Sequence, residues 1–435
     1  MKYYSTSQPD VKVSMREAVT ACVPQRGGLY MPDSLPRVPA AFVHNSGNMG
    51  LREIAYATTN VFMGSDISSA AIKAVVDNAL SFDIPLANIG DGLYVLELFH
   101  GPTNVFKDIG ARFLSGFLES LNPHDGTKLN VLVSTTGNTG LAVADAFGGK
   151  EDINVFILFP HGVVSRADTI RMKAAGDNIC PIEIGGTIDN CKAIVAAAFA
   201  DAELREKMLI TTANSTNFAR LMPQVALFFY GLGRLERQGL KASETDVAVP
   251  SGNLGMLTSG LMAKRIGLQC NRLIAGCNAN NSFDRFVRTG DFHQESTIAT
   301  YARLMDMSSP SNMPRLMALC GGSLDQLRND IASATVNDDQ IIRTIRETFD
   351  KTGYIADPHT AVAIASLDSR VDKSRLALVM STASPSKSPE VMKLALGENY
   401  VDNGSATDIQ SLNNTRIDKL APTYPAFKKY LLSHQ

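Results

Sequence analysis

The sequence predicts an α/β fold with open, mostly parallel sheets that carry helices on both faces, preceded by a mostly helical amino-terminal module. From residue 93 onward, short apolar runs alternate with amphipathic windows of helical length. That alternation favours a parallel sheet covered by helices. Before it, the stretch "PQRGGLYMPDSLPRVP" carries two glycines and four prolines, which break regular structure. We therefore expect a separate module to precede the α/β body.

The individual elements follow from these patterns in chain order. Strands are predicted at 93–99, 130–134, 153–159, 180–184, 208–213, 246–250, 272–277 and 375–381. Helices are predicted at 104–121, 139–147, 187–207, 217–238, 255–266, 338–352 and 359–368. The polar stretch 401–423 is expected to be a loop-rich approach to a final short helix. In such sheets, ligands bind beyond the carboxyl ends of the strands.

Composition restricts the class of protein. The chain has 435 residues, of which 45% are hydrophobic and 19% charged, as in ordinary globular proteins with two or three domains. A net charge of −2 leaves no basic excess for nucleic acid or an anionic membrane. No secretory signal or membrane-spanning run is present, and the six cysteines form no CxxC pair. We expect a cytoplasmic protein with reduced thiols and no metal site.

Two glycine-asparagine loops follow predicted strands. Thr135-Thr136-Gly137-Asn138-Thr139-Gly140 comes after strand 130–134, and Ser251-Gly252-Asn253-Leu254-Gly255 comes after strand 246–250. Glycine lets the backbone approach a ligand, and the free N–H groups of a helix start suit an anion. Gly-Asn is also a common turn signal, so either loop alone is more typical of a plain turn. The presence of both loops after buried strands, with hydroxyls beside them, makes an anion site and a plain turn equally consistent with the sequence. Neither loop matches a nucleotide-binding motif.

Lys107 lies where an apolar face is expected. In "HGPTNVFKDIGARF" it lies near the start of a helical window whose apolar stripe, Phe106, Ile109, Phe113 and Phe117, lies on almost the same face. Most lysines in such a position are simply solvated. An amine held against apolar surroundings, however, loses proton affinity and becomes able to form a Schiff base. A lysine of this kind and an anion-binding loop are the minimal requirements for pyridoxal 5′-phosphate.

Several motifs resemble one enzyme family. "HGPTNVFKD" resembles the HGPTxxFKD motif of the threonine synthase family, pyridoxal-phosphate enzymes with a fold like the tryptophan synthase β subunit. Over about 400 residues, in order, further segments resemble that family: "VSMREAVTACVPQRGGLYMP", "TTANSTNFARLMPQ", "SGNLG", "MDMSSPSNMPR" and "DPHTAVA". The resemblance implies two open, twisted, mostly parallel α/β domains with the cofactor between them, plus a helical amino-terminal module. The corresponding boundaries are 1–93 for the module, 94–125 with 215–435 for the large cofactor domain, and 126–214 for the small domain.

The resemblance also implies roles for individual residues. Lys107 is implied to be the Schiff-base lysine, which also moves protons after the substrate amine displaces it. Asn138 is implied to bind the cofactor's 3′-oxygen, and Thr382 to face its pyridine nitrogen. The cofactor phosphate is implied to bind Ser251, Gly252, Asn253, Leu254 and Gly255.

Substrate contacts follow in the same way. Thr135, Thr136 and Gly137 are implied to hold the substrate carboxylate. Lys387 is implied to meet the substrate phosphate, and Arg112 and Arg220 are secondary candidates, for which a surface or capping role is at least as consistent with the sequence. The implied reaction converts O-phospho-L-homoserine and water into L-threonine and phosphate, in a monomer or a homodimer.

Three departures from the family pattern concern the substrate side of the site. Ser384 and Ser388 replace a histidine and a phenylalanine in the segment "TASPSKSPE", and His161 stands where arginine or lysine is common. A different enzyme of the same fold, such as a phospho-amino-acid lyase or a serine/threonine dehydratase-like paralogue, would keep Lys107 and both loops. A scaffold protein would have no need of the lysine.

Overall fold

The computed structural model describes residues 1–24, 26–64, 66–121, 126–293, 295–398, 400 and 417–434. The described strands are β1 (Lys2–Ser5), β2 (Gln8–Ser14), β3 (Tyr30–Pro32), β4 (Leu86–Asn88), β5 (Leu93–Glu97), β6 (Leu129–Ser134), β7 (Ile153–Pro160), β8 (Ile179–Ile184), β9 (Leu209–Thr212), β10 (Asp246–Pro250), β11 (Leu273–Cys277), β12 (Ile331–Thr335), β13 (Ala377–Ser381) and β14 (Asp418–Leu420).

The described α-helices precede, follow and connect these strands. They are α1 (Met15–Thr20), α2 (Ala40–Asn45), α3 (Leu51–Met63), α4 (Ser69–Ala79), α5 (Lys107–Leu121), α6 (Asn138–Phe147), α7 (Arg166–Ala174), α8 (Ile188–Ala200), α9 (Ala202–Lys207), α10 (Met222–Glu236), α11 (Gly255–Ile266), α12 (Ser282–Thr289), α13 (Met313–Leu319), α14 (Leu324–Asp330), α15 (Asp338–Thr352), α16 (Pro358–Ser366), α17 (Pro389–Leu396) and α18 (Tyr424–Leu432). Within the described part of the chain, no helix is both long and apolar enough to cross a membrane.

The amino-terminal module combines four helices with a small antiparallel sheet. In this sheet β1 lies between β2 and β3. The buried Tyr3 of β1 donates a hydrogen bond from its hydroxyl to the Phe62 carbonyl of α3, at 3.2 Å, which ties the sheet to the helices. The module begins with a β-hairpin, and the stretch 24–39, where the sequence predicts no regular structure, also contains β3.

A six-stranded sheet positions three of the candidate segments. Its strand order is β12-β11-β10-β13-β5-β4, and only the β4–β5 pairing is antiparallel. The strands β10, β13 and β5 are neighbours, with Ala248 beside Val379 and Ser381 beside Glu97. Because the carboxyl ends of parallel strands meet at one edge, the segments that follow these three strands lie together.

A five-stranded, wholly parallel sheet forms the second α/β unit, in the order β14-β8-β7-β6-β9. On one face Val131 and Val133 of β6 pack into the core that contains α5 and α6, while on the other Leu132 packs with Phe427 of α18. The carboxyl-terminal segment, which the sequence assigned to the large domain, thus adds a strand and a helix to this unit. The three-part domain division itself stays a prediction.

Helices α5 and α6 lie side by side and run in the same direction. The Ser115 hydroxyl of α5 donates to the Ala146 carbonyl at 2.6 Å, and Lys150, just beyond α6, pairs with Glu119. Both pairs are separated by 31 residues, as are the first residues of the two helices, Lys107 and Asn138. The two helix starts therefore lie at the same end of the pair, although they follow strands of different sheets.

The sequence predicted much of this arrangement. All eight predicted strands are present within about two residues of their predicted bounds, and the prediction of mostly parallel sheets is confirmed. The predicted helix 187–207 is interrupted at Asp201, whose carboxylate caps α9, and the predicted helix 217–238 begins with a separate 3₁₀ turn at 218–220. The final short helix is α18, while residues 401–416 of the predicted loop lie outside the described residues.

Candidate active site

Lys107 is the first residue of α5, and a tight turn fixes its position. The carboxylate of the fully buried Asp108 accepts hydrogen bonds from the Thr103 backbone N–H at 2.8 Å and from its hydroxyl at 2.5 Å. A Cβ atom added at Gly101 would lie 2.5 Å from Asp108 Oδ2, so the turn accepts only glycine there. Asn104 adopts a left-handed conformation with φ of 60°. The turn and the helix start thus form one rigid piece.

The segment that follows β13 lies directly beside this turn. The Phe106 backbone N–H donates to the Thr382 carbonyl at 2.9 Å, and the Ser384 N–H donates to the Asn104 carbonyl at 3.0 Å. Thr382 is buried, and Lys387 is half-buried in the 3₁₀ turn at 385–387. The structure therefore brings Thr382 next to the backbone that leads into Lys107.

The Lys107 amine has the electrostatic surroundings of a reactive lysine. Burial, with smaller contributions from the nearby Arg220 and Lys387 cations, lowers its pKa to about 8. Each of these effects disfavours the charged ammonium. At neutral pH a usable fraction of the amine is therefore unprotonated, whereas an ordinary lysine would be almost fully charged. An amine of this kind is suited to bond a carbonyl carbon and to accept a proton.

Arg220 lies beneath Lys107. Its guanidinium donates to the Ala213 carbonyl at 2.6 Å and to the Lys107 carbonyl at 3.4 Å, and burial lowers its pKa to about 10. Its Nε would lie 2.9 Å from a Cβ added at Gly110, so helix α5 packs directly on it. From this position the Arg220 charge helps to lower the pKa of the Lys107 amine.

The loop 251–255 after β10, which we call the anion loop, has the backbone geometry of an anion site. No described residue accepts a hydrogen bond from the backbone N–H groups of Gly252, Asn253 or Leu254. Leu254 adopts a left-handed conformation with φ of 60°, and helix α11 begins at Gly255. Left-handed turns at helix starts gather N–H groups into a concave anion site, and the helix dipole adds to it. The Ser251 hydroxyl donates instead to the Val249 carbonyl, at 2.8 Å.

A network that the sequence analysis did not assign supports this loop. The Asn253 side chain donates to the Ser215 hydroxyl at 2.7 Å and accepts from the Ser311 N–H at 2.5 Å, so it ties the loop to two other segments. The fully buried Arg315 donates to the carbonyls of Tyr30, Ser215 and Thr216 at 2.7 to 3.1 Å. Arg315 thus joins the amino-terminal module to the segment that follows β9.

A second support comes from a buried histidine. His359 Nδ1 donates to the Asp357 carboxylate at 2.5 Å, while its Nε2 accepts from the Leu304 backbone N–H at 3.0 Å. These two contacts fix the tautomer and hold the turn at 303–305. The backbone of Met305 in that turn packs against Gly252. His359 therefore lies behind the anion loop.

The loop after β6 faces the same region from the other sheet. Thr135 Oγ1 accepts hydrogen bonds from the N–H groups of Gly137 and Gly140 at 3.0 and 3.1 Å, and Gly137 has φ of 134°, which only glycine adopts readily. Thr136 is exposed, and the half-exposed side chain of Asn138 has no hydrogen-bond partner among the described residues. Asn138 begins α6, beside the start of α5.

Arg112 is a predicted site residue whose described contacts are with helices α4 and α6 and not with the other predicted site residues. Its guanidinium is 3.6 Å from the Asp145 carboxylate of α6 and 3.5 Å from the Asn78 side-chain oxygen of α4. These contacts engage its charge in helix packing. A role for Arg112 in binding phosphate stays a prediction, and no contact described here favours it.

The gathered residues fit pyridoxal 5′-phosphate. The Lys107 amine with its lowered pKa suits the aldehyde, and the unpartnered N–H groups at 252–254 suit the phosphate. Thr382 offers a buried hydroxyl, and Asn138 offers a side-chain amide without a partner among the described residues. Because β5, β10 and β13 are adjacent, Lys107, the anion loop and Thr382 share one edge of the six-stranded sheet.

Comparison with known proteins supports this interpretation. Residues 82–381 match the family model described as pyridoxal-phosphate dependent enzyme, and residues 2–80 match the model described as threonine synthase N terminus. The chain is 35% identical over 397 residues to the threonine synthase of Haemophilus influenzae, covering 91% of this chain and 92% of that protein.

Solved structures agree over the whole chain. The crystal structure of threonine synthase from Escherichia coli superposes with a TM-score of 0.91 at 32% identity and covers 100% of both chains. The pyridoxal-phosphate-bound threonine synthase from Brucella melitensis gives a TM-score of 0.90 at 28% identity, over 100% of this chain and 99% of that one. The chain therefore belongs to the threonine synthase family of pyridoxal-phosphate-dependent enzymes.

Proposed function

We propose that the chain converts O-phospho-L-homoserine and water into L-threonine and inorganic phosphate. The observation that carries the proposal is the pairing of two amines near one edge of the six-stranded sheet. Lys107 has the lowered pKa of a proton-transfer amine, and Lys387 is half-buried without an ion-pair partner among the described residues. The first suits the reacting carbon atoms, and the second suits a phosphate leaving group.

We propose that four segments hold the cofactor. The Lys107 amine bonds its aldehyde carbon, the N–H groups of Gly252 to Gly255 bind its phosphate beside Ser251, Asn138 meets its 3′-oxygen, and the Thr382 hydroxyl faces its ring nitrogen. The bound cofactor supplies an electron sink that stabilises negative charge on the substrate's carbon skeleton. A hydroxyl at the ring nitrogen supports this sink less strongly than a carboxylate.

Lys107 is proposed to move the protons. When the substrate amine has taken its place, the free Lys107 amine removes the Cα proton and later returns a proton to the carbon skeleton. A second proton leaves Cβ, the bond from Cγ to the phosphate oxygen breaks, and Cγ gains a proton to become the methyl group. Water then adds its oxygen at Cβ while its proton passes to the released phosphate, and Cα regains the proton that Lys107 returns. The burial that lowers the pKa of Lys107 keeps this amine uncharged often enough to act as a base near neutral pH.

The substrate's two anionic groups are proposed to bind at opposite loops. The loop of Thr135, Thr136 and Gly137 at the start of α6 binds the carboxylate, aided by the helix dipole. Lys387 binds the departing phosphate and stabilises the negative charge that develops on it. Because these loops belong to different sheets, we propose that the domain 126–214 closes on the domain 94–125 with 215–435 when the substrate is bound.

The same proposal implies the kind of partner and the cellular location of the chain. The substrate is a small metabolite rather than a macromolecule. All six cysteines are free, which suits the reducing cytoplasm, the location we propose.

A substrate comparison tests the proposed function. The holoenzyme is incubated with O-phosphohomoserine, O-phosphothreonine or threonine, and phosphate, threonine and keto-acid release are followed. We expect threonine and phosphate in equal amounts from O-phosphohomoserine alone. Turnover of only the other two compounds would instead identify a lyase or dehydratase paralogue.

The Lys107 assignment has its own test. Borohydride reduction of the holoenzyme should attach the cofactor to the peptide that contains Lys107, as seen by mass spectrometry. Lys107→Ala should lose both this adduct and the visible absorption of bound cofactor. An adduct on another lysine would overturn the assignment.

A further inference from the structure

We infer that Arg171 of α7 binds the substrate's phosphate together with Lys387, so that it sets the preference for a phosphorylated substrate. The inference rests on the proposed function, because it adds a residue to the same site. Arg171 was not among the residues that the sequence analysis selected.

Arg171 reaches from one α/β unit to the other. It belongs to α7, which connects β7 and β8 of the five-stranded sheet. Its guanidinium donates to the Pro102 carbonyl at 2.7 Å, in the turn that leads to Lys107. Two residues further along this turn, the Asn104 carbonyl accepts from the Ser384 N–H, three residues before Lys387. One turn thus contacts both Arg171 and the segment that carries Lys387.

The two cations are only partly compensated. Both are half-buried, and neither forms an ion pair with any described carboxylate. Burial lowers the pKa of Lys387, and the Asp168 carboxylate opposes that shift. The positive charge of Arg171 lowers the same pKa further, because the two cations repel each other. A pair of half-buried cations that lack an ion-pair partner among the described residues attracts an anion.

The donors and charges near Lys387 suit a phosphate monoester. Arg171, Arg220 and Lys387 carry positive charge, Asp108 and Asp168 carry negative charge, and the Lys107 amine is the uncharged base of the proposed reaction. One positive charge is left over, which favours an anion. Beyond its bond to Pro102, Arg171 keeps N–H donors without a partner among the described residues, and a guanidinium fork matches two phosphate oxygens.

The two secondary candidates from the sequence are engaged elsewhere. Arg112 faces the Asp145 carboxylate, and Arg220 donates to the Ala213 and Lys107 carbonyls behind helix α5. Of these three arginines, Arg171 is therefore the one whose donors remain available beside Lys387. Its place on α7 also means that a bound phosphate would connect the two α/β units.

Replacing Arg171 tests the inference in the holoenzyme. For Arg171→Gln we expect inorganic phosphate to inhibit about 10- to 100-fold more weakly, since a charge-assisted hydrogen-bond pair is lost. The KM for O-phosphohomoserine should rise by a similar factor, while binding of the unphosphorylated amino acid L-norvaline and the visible absorption of the bound cofactor stay unchanged. Arg171→Lys keeps the charge without the fork and should lie between wild type and Arg171→Gln.

Lys207→Gln is the matched control. It removes one positive charge from the same unit, in an exposed pair with Glu203 at the opposite, amino-terminal end of β9, and should leave phosphate inhibition unchanged. Unchanged phosphate affinity in both Arg171 variants would overturn the inference. Phosphate affinity is measured both by inhibition and by the thermal shift of the holoenzyme, which needs no turnover. A wild type that shows an Arg171-dependent thermal shift with phosphate but does not turn over O-phosphohomoserine would therefore overturn the proposed function alone.

Discussion

The backbone of Met305 packs directly against Gly252, the first glycine of the anion loop. A Cβ atom added at Gly252 would lie 2.8 Å from the Met305 Cα and 3.0 Å from its carbonyl oxygen. Both contacts are to backbone, which cannot rotate away as a flexible side chain would. Glycine is therefore required at 252 by the close approach of a second segment, and not by a left-handed conformation.

Gly252→Ala should weaken cofactor binding. The methyl group must push the 303–305 turn or the loop itself out of place, at a cost of about 1–3 kcal/mol, so we expect about 10- to 100-fold lower affinity for pyridoxal phosphate. Equilibrium titration of the apoprotein by visible absorption measures this affinity. Gly255→Ala is the control, because a Cβ there would have 3.4 Å to its nearest neighbour, an ordinary contact. Equal affinities in the two variants would contradict the packing argument.

The rate at which apoprotein bonds the cofactor should follow the protonation of Lys107. Its pKa is lowered to about 8 from an ordinary 10.5, so the reactive uncharged amine accumulates as pH rises through 8 and is nearly complete one unit above it. We expect the rate to rise about tenfold from pH 7 to pH 9 and then level off. Stopped-flow absorption across this range measures it.

Lys387→Gln should move this profile to higher pH. Its positive charge contributes to the low pKa of Lys107, so its removal favours the ammonium form. Lys207→Gln, an exposed lysine of α9, should leave the profile in place. A rate that still climbs steeply above pH 10 in the wild type would show that Lys107 has an ordinary pKa.

The parts of the site that the sequence predicted depend on local signals. Lys107, the loop at 251–255 and the loop at 135–140 each follow a short apolar run that forms a buried strand, and glycine marks each loop. Each of these three segments begins within about ten residues of the end of its strand. A pattern that is complete within one short window can be recognised without knowledge of the fold.

The parts that were not predicted depend on contacts between distant segments. Arg315 bonds Tyr30 across 285 residues, and His359 bonds Leu304 across 55, so neither role is visible in a local window. Helix α7, "RADTIRMKA", has charged residues on most of its faces and no clear apolar stripe. The sequence pattern therefore predicted neither this helix nor a role for Arg171. Strand β14 has only three residues and is defined by pairing with β8.

Arg315→Met should destabilise the whole chain. The guanidinium is fully buried, burial lowers its pKa to about 9, and three carbonyls and the Asn312 side chain depend on it for hydrogen bonds. Methionine fills similar volume but leaves these acceptors unpaired, so we expect a loss of about 3 kcal/mol or more in the free energy of unfolding. Urea denaturation measures it.

Two further variants define what Arg315 supplies. Arg315→Lys should recover only part of the loss, because a point charge cannot reach acceptors arranged around a planar fork. Lys73→Met removes an exposed ion pair with Asp77 and should change the free energy of unfolding by less than about 0.5 kcal/mol. A similar effect of Arg315→Met and Lys73→Met would show that the buried network contributes little.

His359→Leu should loosen the turn behind the anion loop. Leucine removes the acceptor of the Leu304 N–H and the donor to Asp357, which costs about 1–3 kcal/mol and lets Met305 move away from Gly252. Cofactor affinity should then fall, as measured by titration of the apoprotein at a temperature where the variant is fully folded. Because the variant is folded there, its lower thermal stability alone does not explain the loss of affinity. His359→Gln is the discriminating variant, because its side-chain oxygen can accept from Leu304 and should restore much of the affinity. If glutamine and leucine weaken the cofactor equally, the hydrogen bond to Leu304 is not what positions Met305 against Gly252.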